Sequence, residues 1–245
     1  MKCRKRNAQK FDVNVSQKTI YLIKLRLIIT FIDFFFLSQF KIDYICTIKT
    51  IFNWMKTLYI IAGCNGAGKT TASLTMLPEI WKCREFVNAD EIAKGLSPYN
   101  PEGVAIEAGR LMLKRIDYLL EGEESFSIET TLSTKSYKGL IQRAHKRGFK
   151  VQLLFFWLPT PETAIERVAQ RVLEGGHNIP TDVIRRRYQA GIDNLFNIYL
   201  DIVDSWMIVE NYQMPRVIIA DGGLNSEPNI YNMDLYLKIQ SYVRN

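Results

Sequence analysis

From residue 55 onward, short apolar runs alternate with longer stretches in which apolar residues recur every three or four positions. The apolar runs predict strands over residues 57–62, 85–88, 125–129, 150–158, 206–209 and 216–220. The longer stretches predict helices over residues 70–77, 101–121, 133–147, 161–173 and 181–199, while residues 232–243 fit either a helix or a strand. This alternation predicts an α/β fold in which helices cover both faces of a mostly parallel sheet.

Residues 1–54 have a different composition, rich in Ile, Phe, Lys and Asn. Their apolar stretch is interrupted by three charges, at Lys24, Arg26 and Asp33. A membrane span needs about 20 mostly apolar residues, and a charge at its centre costs roughly 2.5–3.5 kcal/mol. We therefore interpret residues 1–54 as an extension outside the fold, with translation beginning at Met55, rather than as a membrane anchor. Residues 55–245 are expected to form one domain that folds without the extension.

The formal net charge of +7 is unevenly distributed along the chain. Residues 1–54 carry ten Lys and Arg against three Asp and Glu, whereas residues 55–245 carry 22 of each sign. A neutral domain gives no electrostatic reason to expect a nucleic-acid or membrane partner. The four cysteines are widely spaced and only two histidines are present, which argues against a zinc site or a disulfide framework. Free thiols fit a reducing cytoplasm, where we expect the protein to act.

The segment GCNGAGKT, residues 63–70, matches the phosphate-loop pattern G-x-x-x-x-G-K-[ST] at every defined position. A predicted strand precedes it and a predicted helix follows, so backbone N–H groups and the positive helix N-terminus can converge on polyphosphate oxygens. Lys69 is expected to reach the β- and γ-phosphates, and the Thr70 hydroxyl to bind Mg²⁺. The motif predicts that ATP is bound by Gly63, Asn65, Gly66, Ala67, Gly68, Lys69, Thr70 and Thr71.

Nucleotide binding alone does not separate a kinase from a GTPase switch or a mechanical ATPase. The guanine-reading sequence N-K-x-D is absent, and no clear apolar strand ends in the Asp that large ATPases use. Two predicted strands instead deliver polar groups to the sheet edge beside the phosphate loop.

Asp90 follows the second of the predicted strands. Its carboxylate can accept a hydroxyl proton during phosphoryl transfer and help hold Mg²⁺, although Asp is also a favoured helix N-cap. Glu129 ends the third strand and Thr131 follows it. These side chains suit hydrogen bonds to a sugar-like acceptor, with capping of the next helix by Thr131 or Ser133 as the alternative.

A group of arginines flanks a Gly-Gly pair further along the chain. Arg167 and Arg171 lie four residues apart on one predicted helix face, and Arg186 and Arg187 lie on the helix that follows the glycines. Fixed cations that close over ATP can stabilise the transferring phosphoryl group while water is excluded. We therefore interpret this region as a closing lid, with solvated helix faces or a nucleic-acid patch as the alternative.

The chain resembles the bacterial zeta-toxin family of P-loop kinases over about residues 56–212. The resemblance rests on the segments AGCNGAGKTTAS, VNADEIAKGLSPYNPE and SIETTLS, followed by the arginine-rich segment. It implies a P-loop kinase that uses ATP and Mg²⁺ to phosphorylate the 3′-hydroxyl of the amino sugar of UDP-N-acetylglucosamine, a cell-wall precursor. It also implies an antitoxin as a protein partner.

The resemblance assigns roles to individual residues by motif position. It implies Asp90 as the catalytic base, Glu129 and Thr131 as contacts to the amino sugar, and Arg167 as the first lid arginine. The chain departs from the founding members by the inserted loop GGHNIP. The candidates for the second lid arginine therefore remain Arg171, Arg186 and Arg187.

Two alternative functions are also consistent with the sequence. A kinase of another small metabolite or of an antibiotic would share the loop and the Asp base. A non-catalytic ATP-binding regulatory protein would share the loop alone.

Overall fold

A computed structural model describes residues 56–245, apart from positions 177, 214 and 245. The predicted extension over residues 1–54 and the predicted start at Met55 lie outside these described residues. In the described part of the chain, the strands form one seven-stranded sheet in the order β2-β3-β1-β4-β5-β6-β7. They are β1 (Thr57–Gly63), β2 (Glu85–Val87), β3 (Phe126–Thr130), β4 (Lys150–Trp157), β5 (Ser205–Glu210), β6 (Val217–Gly223) and β7 (Asn229–Ile230).

The first five strands pair in parallel, and β6 and β7 are antiparallel additions at one edge. All six predicted strands are confirmed, as is the mostly parallel α/β sheet flanked by helices. Strand β7 escaped prediction because two residues are too few to show an alternating pattern.

The described helices are α1 (Lys69–Glu79), α2 (Ala89–Leu96), α3 (Ala105–Glu121), α4 (Tyr137–Lys146), α5 (Pro161–Leu173), α6 (Thr181–Asn194) and α7 (Met233–Gln240). A 3₁₀ turn, Glu102–Val104, leads into α3, and a π-helical turn, Leu195–Tyr199, continues α6. The stretch over residues 232–243, which fitted a helix or a strand, contains helix α7. The Asn232 side chain caps this helix by accepting from the N–H of Leu235 at 3.0 Å. None of the helices described has both the length and the apolar run that a membrane crossing needs.

One helix was missed by the prediction, and another begins later than predicted. Helix α2 was not predicted, because its eight residues span only about two turns, which is too short for an apolar pattern to recur along the sequence. Helix α4 begins at Tyr137 and not at Ser133. Leu132 has a left-handed backbone, with φ of 60°, and its N–H is bonded to the Thr130 hydroxyl, so the chain turns before the helix can start.

Strand β1 lies at the centre of the core. All seven of its residues are buried, and it pairs with β3 on one side and β4 on the other. A parallel strand covered on both faces needs a continuous apolar run and not an alternating one, which is what residues 57–62 provide. The phosphate loop follows directly from this strand and so starts from a fixed point.

At the end of the sheet opposite the phosphate loop, the Asp204 side chain, just before β5, bonds the first residues of β4. Its carboxylate accepts hydrogen bonds from Lys150 Nζ at 2.9 Å and from the N–H of Val151 at 2.9 Å, and contacts His145 Nε2 at 2.8 Å. Partial burial opposes ionisation, but these hydrogen bonds outweigh it and hold the pKa of the Asp204 carboxyl below its ordinary value. The charged form of Asp204 therefore stabilises the fold.

Replacing Asp204 with Asn should lower the free energy of unfolding by about 1 kcal/mol at pH 7, because the charge-assisted bonds are lost from a partly exposed site. A carboxyl whose pKa is lower in the folded state stabilises the fold above its unfolded pKa, and loses that contribution as the pH falls through its folded pKa. The difference between the two proteins in urea unfolding should therefore shrink as the pH falls below 3.8. Asp201→Asn, an exposed site three residues earlier, is the matched control and should be nearly neutral.

Candidate active site

The loop between β1 and α1 passes close to neighbouring main chain at its glycines. Gly63, Gly66 and Gly68 have φ values of 140°, 77° and 78°, which side chains rarely adopt. A Cβ on Gly63 would lie 2.2 Å from the carbonyl oxygen of Phe156, and one on Gly66 would lie 2.8 Å from that of Ala164. The glycines of the motif are therefore required by space as well as by backbone conformation.

Lys69 lies inside this loop and is only 7% exposed. Its Nζ donates a hydrogen bond to the carbonyl oxygen of Cys64 at 3.0 Å and lies 3.7 Å from Glu129 Oε1. The ammonium group is thus held where the loop can close around an anion. Burial raises the pKa of the Cys64 thiol to about 11, so this cysteine is protonated and not a nucleophile at neutral pH.

Glu129 contacts both residues that were assigned to phosphate and metal binding. The Thr70 hydroxyl donates to the Glu129 carboxylate, at 2.9 Å from Oε2 and 3.1 Å from Oε1. Burial raises the pKa of the Glu129 carboxyl; Lys69 and the bond from Thr70 oppose this rise, whereas the nearby charges of Asp90 and Glu91 add to it. Glu129 was expected on the acceptor side, and its contacts in this structure are on the nucleotide side.

Thr70 and Glu129 form an all-oxygen donor set that fits Mg²⁺. This ion usually takes one or two protein oxygens and completes its shell with phosphate oxygens and water. Among the described residues, no group of three or more His, Cys, Asp and Glu could hold a metal by itself. A magnesium ion at Thr70 would therefore need a nucleotide to complete its coordination.

Asp90 lies in the first turn of α2, just after β2. The cap of this helix is Asn88, whose side-chain oxygen accepts from the N–H of Asp90 at 2.8 Å, so the capping alternative for Asp90 is wrong. The Asp90 side chain is exposed and lines a cavity of about 280 Å³. Arg187 and Ile179 line the same cavity, so Asp90, the segment that precedes α6 and α6 itself all contribute to its wall.

Thr131 lies on a connection that is firmly held by α6. Its hydroxyl is 2.9 Å from that of Ser133, and neither side chain caps α4. The carbonyl oxygen of Leu132 accepts a hydrogen bond from Asn194 Nδ2 at 2.9 Å. The alternative interpretation, in which Thr131 or Ser133 caps the next helix, is therefore wrong.

The lid arginines differ in how they approach the phosphate loop. Arg187 Nη1 lies 3.5 Å from Asn65 Oδ1 within the loop, which makes it the second-helix arginine that contacts the motif. Arg167 packs beside Gly66 and donates from Nη2 to the carbonyl oxygen of Tyr212 at 3.1 Å. The two remaining candidates are Arg171, whose carbonyl accepts from the N–H of Gly176, and Arg186, which is exposed.

Sequence reasoning missed the connection between β5 and β6. Asn211 is buried there and donates from Nδ2 to the carbonyl oxygen of Ala67 at 2.7 Å. Arg216 Nε donates in turn to Asn211 Oδ1 at 2.6 Å. The rule that ligand sites lie at the carboxyl ends of parallel strands points to the end of β5, but no local pattern singles out Asn211 there.

Comparison with known proteins identifies the family of this chain. Residues 48–221 match the family model described as Zeta toxin. The chain belongs to the zeta toxin family. An uncharacterized protein of Haemophilus influenzae is 30% identical over 126 residues, which cover 51% of this chain and 88% of that protein. The predicted family is therefore confirmed.

Solved structures with a similar fold include chains of two protein complexes or systems. A chain of the AvrRxo1-ORF1:AvrRxo1-ORF2 complex with sulphate ions superposes with a TM-score of 0.65 at 20% identity, over 78% of this chain. The present chain spans 65% of the length of that one. The PezAT chromosomal toxin–antitoxin system of Streptococcus pneumoniae gives a TM-score of 0.55 at 16% identity, covering 94% of this chain and 89% of that one. At these identities the likeness shows the fold.

Proposed function

We propose that this chain is an ATP-dependent kinase that transfers the γ-phosphoryl group to a hydroxyl of a small sugar-type acceptor. The acceptor we propose is UDP-N-acetylglucosamine, phosphorylated at the 3′-hydroxyl of its amino sugar. The observation that carries the proposal is the convergence of Asp90 and Arg187 on one cavity, with Arg187 also in contact with the phosphate loop. A base and a cation that face each other beside a phosphate loop suit phosphoryl transfer.

On the nucleotide side, the loop offers backbone N–H groups and the Lys69 ammonium to the β- and γ-phosphates. Bound Mg²⁺ would neutralise charge on the same phosphate oxygens. The Thr70 hydroxyl, which donates to the Glu129 carboxylate, can offer an oxygen lone pair to Mg²⁺ at the same time. The proposed contact of Glu129 with the amino sugar rests on the family resemblance alone, because its described contacts lie on the nucleotide side.

On the acceptor side, Asp90 accepts the proton of the attacking hydroxyl as the new oxygen–phosphorus bond forms and ADP leaves. The cavity of about 280 Å³ is at the small end of the roughly 300–1,000 Å³ that ligand pockets usually span. It therefore suits the sugar end of the acceptor and not a whole nucleotide sugar. Thr131 contributes a further hydroxyl for the amino sugar at the neighbouring strand end.

Membership of the zeta toxin family supports this acceptor and also a protein partner. One related structure is the AvrRxo1-ORF1:-ORF2 complex with ATP, and another is the PezAT toxin–antitoxin system. We propose on this basis that the chain binds ATP, and that an antitoxin protein binds the chain.

The function is tested by incubating the full chain with ATP, Mg²⁺ and a panel of UDP-sugars, other small hydroxyl compounds and antibiotics, with products identified by mass spectrometry. Phosphorylated UDP-N-acetylglucosamine is the expected product. Phosphorylation of a different compound would favour the alternative of a metabolite or antibiotic kinase. ATP binding without ADP release in the presence of any acceptor would favour a non-catalytic regulatory protein.

Asp90→Asn keeps the shape of the side chain but removes the basic carboxylate. Folding and ATP affinity should survive, while turnover at saturating acceptor falls by roughly 10²–10⁴-fold. Lys69→Ala removes a phosphate contact, so it should weaken ATP binding as well as turnover. Calorimetry and steady-state kinetics on both variants separate the two roles. Turnover of Asp90→Asn near the wild-type rate would show that another carboxylate, Glu91 or Glu129, is the base.

Arg187→Ala should lower kcat by about 10³-fold or more while changing ATP affinity much less, because an arginine that stabilises the transferring group acts mainly in the transition state. Arg186→Ala is the matched comparison, one residue away on the same helix and exposed. A larger loss in Arg186→Ala would make Arg186 the second lid arginine. A loss of ATP affinity with an unchanged rate at saturation would mean that Arg187 only holds resting nucleotide.

A further inference from the structure

Asn211 occupies a buried position at the carboxyl end of β5. Its main-chain N–H donates to the carbonyl oxygen of Trp157 at 3.0 Å, which extends the pairing of β5 with β4 by one step. The next residue, Tyr212, is fixed separately, since its N–H donates to Glu210 Oε1 at 2.7 Å. The path of the chain here is thus anchored by contacts that do not involve the Asn211 side chain.

The Asn211 side chain is oriented by its two partners. Arg216 Nε, which can only donate, bonds Asn211 Oδ1 at 2.6 Å. The amide oxygen must therefore face Arg216, and the amide nitrogen must face the carbonyl oxygen of Ala67, at 2.7 Å. Arg216 is itself half-buried, with its guanidinium 6.0 Å from the ring centre of Phe156. The amide has only one orientation that satisfies both contacts.

This contact fixes a peptide group of the phosphate loop. In a planar trans peptide, the C=O and the N–H point in opposite directions. Because Asn211 holds the Ala67 carbonyl, the N–H of Gly68 in the same peptide is directed away from Asn211. Gly68 also permits the contact, since a Cβ there would lie 2.6 Å from Asn211 Nδ2.

We propose that Asn211, oriented by Arg216, is a positioning residue that turns the N–H of Gly68 toward a phosphate oxygen of the bound nucleotide. This rests on the ATP binding proposed above. Asn211 touches neither the acceptor nor the reacting atoms; it acts through the Ala67–Gly68 peptide. Its effect belongs to ground-state nucleotide binding, in contrast to the effects of Asp90 and Arg187.

The direct test uses Asn211→Asp and Asn211→Leu in the full chain. The Asp variant keeps the shape and the bond from Arg216 but sets a carboxylate oxygen against the Ala67 carbonyl, and the Leu variant removes both bonds. ATP affinity in the presence of Mg²⁺, measured by calorimetry, should fall about 10- to 100-fold in each. The kcat at saturating ATP should stay within about threefold of wild type, so that the change appears in KM.

Two further variants separate positioning from general stability. Asn232→Ala removes the cap of α7 and should lower Tm while leaving ATP affinity unchanged. Arg216→Lys removes the Nε donor that orients the amide and should weaken ATP binding about threefold to tenfold. In the Asn211→Leu background it should cause no additional loss, because both residues act through one contact.

Each outcome bears on the proposal. Wild-type ATP affinity in folded Asn211→Leu would overturn it, as would an Arg216→Lys effect that persists in the Leu background. If both Asn211 variants fail to fold, wild-type affinity in Arg216→Lys would overturn it. A wild-type chain that binds ATP but phosphorylates no acceptor would refute the kinase function and leave the role of Asn211 standing; one that binds no ATP would refute both.

Discussion

The close approach of main chain around the phosphate loop is the constraint on which the site depends. Gly63 meets the main chain of β4 and Gly66 that of α5, while Gly68 meets the Asn211 side chain after β5, each within a distance that leaves no room for a Cβ. Three separate elements therefore press on one short loop and set its shape. The buried position of Lys69 follows from that shape, because its ammonium bonds the loop's own carbonyl at Cys64.

Opposite charges are divided between the two sides of the site. The cations Lys69, Arg167 and Arg187 lie around the loop, where a polyphosphate would bring negative charge. Asp90 lines the cavity in which we propose that the acceptor hydroxyl loses its proton. Glu129 stands between these groups, and its raised pKa reflects burial near other carboxylates that the lysine only partly offsets. A cation bound beside Glu129 would favour its charged form and lower this raised pKa.

The lid is held less firmly than the loop. Arg187 approaches Asn65 at the long distance of 3.5 Å, and α5 is joined to α6 by the exposed ion pair of Arg185 with Glu162. Exposed ion pairs of this kind contribute about 0–1 kcal/mol, so this pair ties the start of α6 to α5 only weakly. The later turns of α6 are anchored in the core, where Tyr188 and Asn194 make buried hydrogen bonds. The end of α5 is marked by Gly175, whose φ of 85° suits a turn between the helices. A firm loop and a loosely tied lid are compatible with closure on binding.

The sequence by itself determined six strands of a mostly parallel sheet, most of the helices, the family and the residues of the phosphate loop, because strand burial and glycine conformation leave local patterns. It could not choose between helix capping and chemistry for Asp90 and Thr131, since both uses favour the same side chains. The cap made by Asn88 and the late start of α4 exclude capping. It also gave no sign of Asn211, 144 positions from Ala67. Such a contact exists only once parallel strands bring their carboxyl ends to one edge, and no local pattern records which distant side chain arrives there.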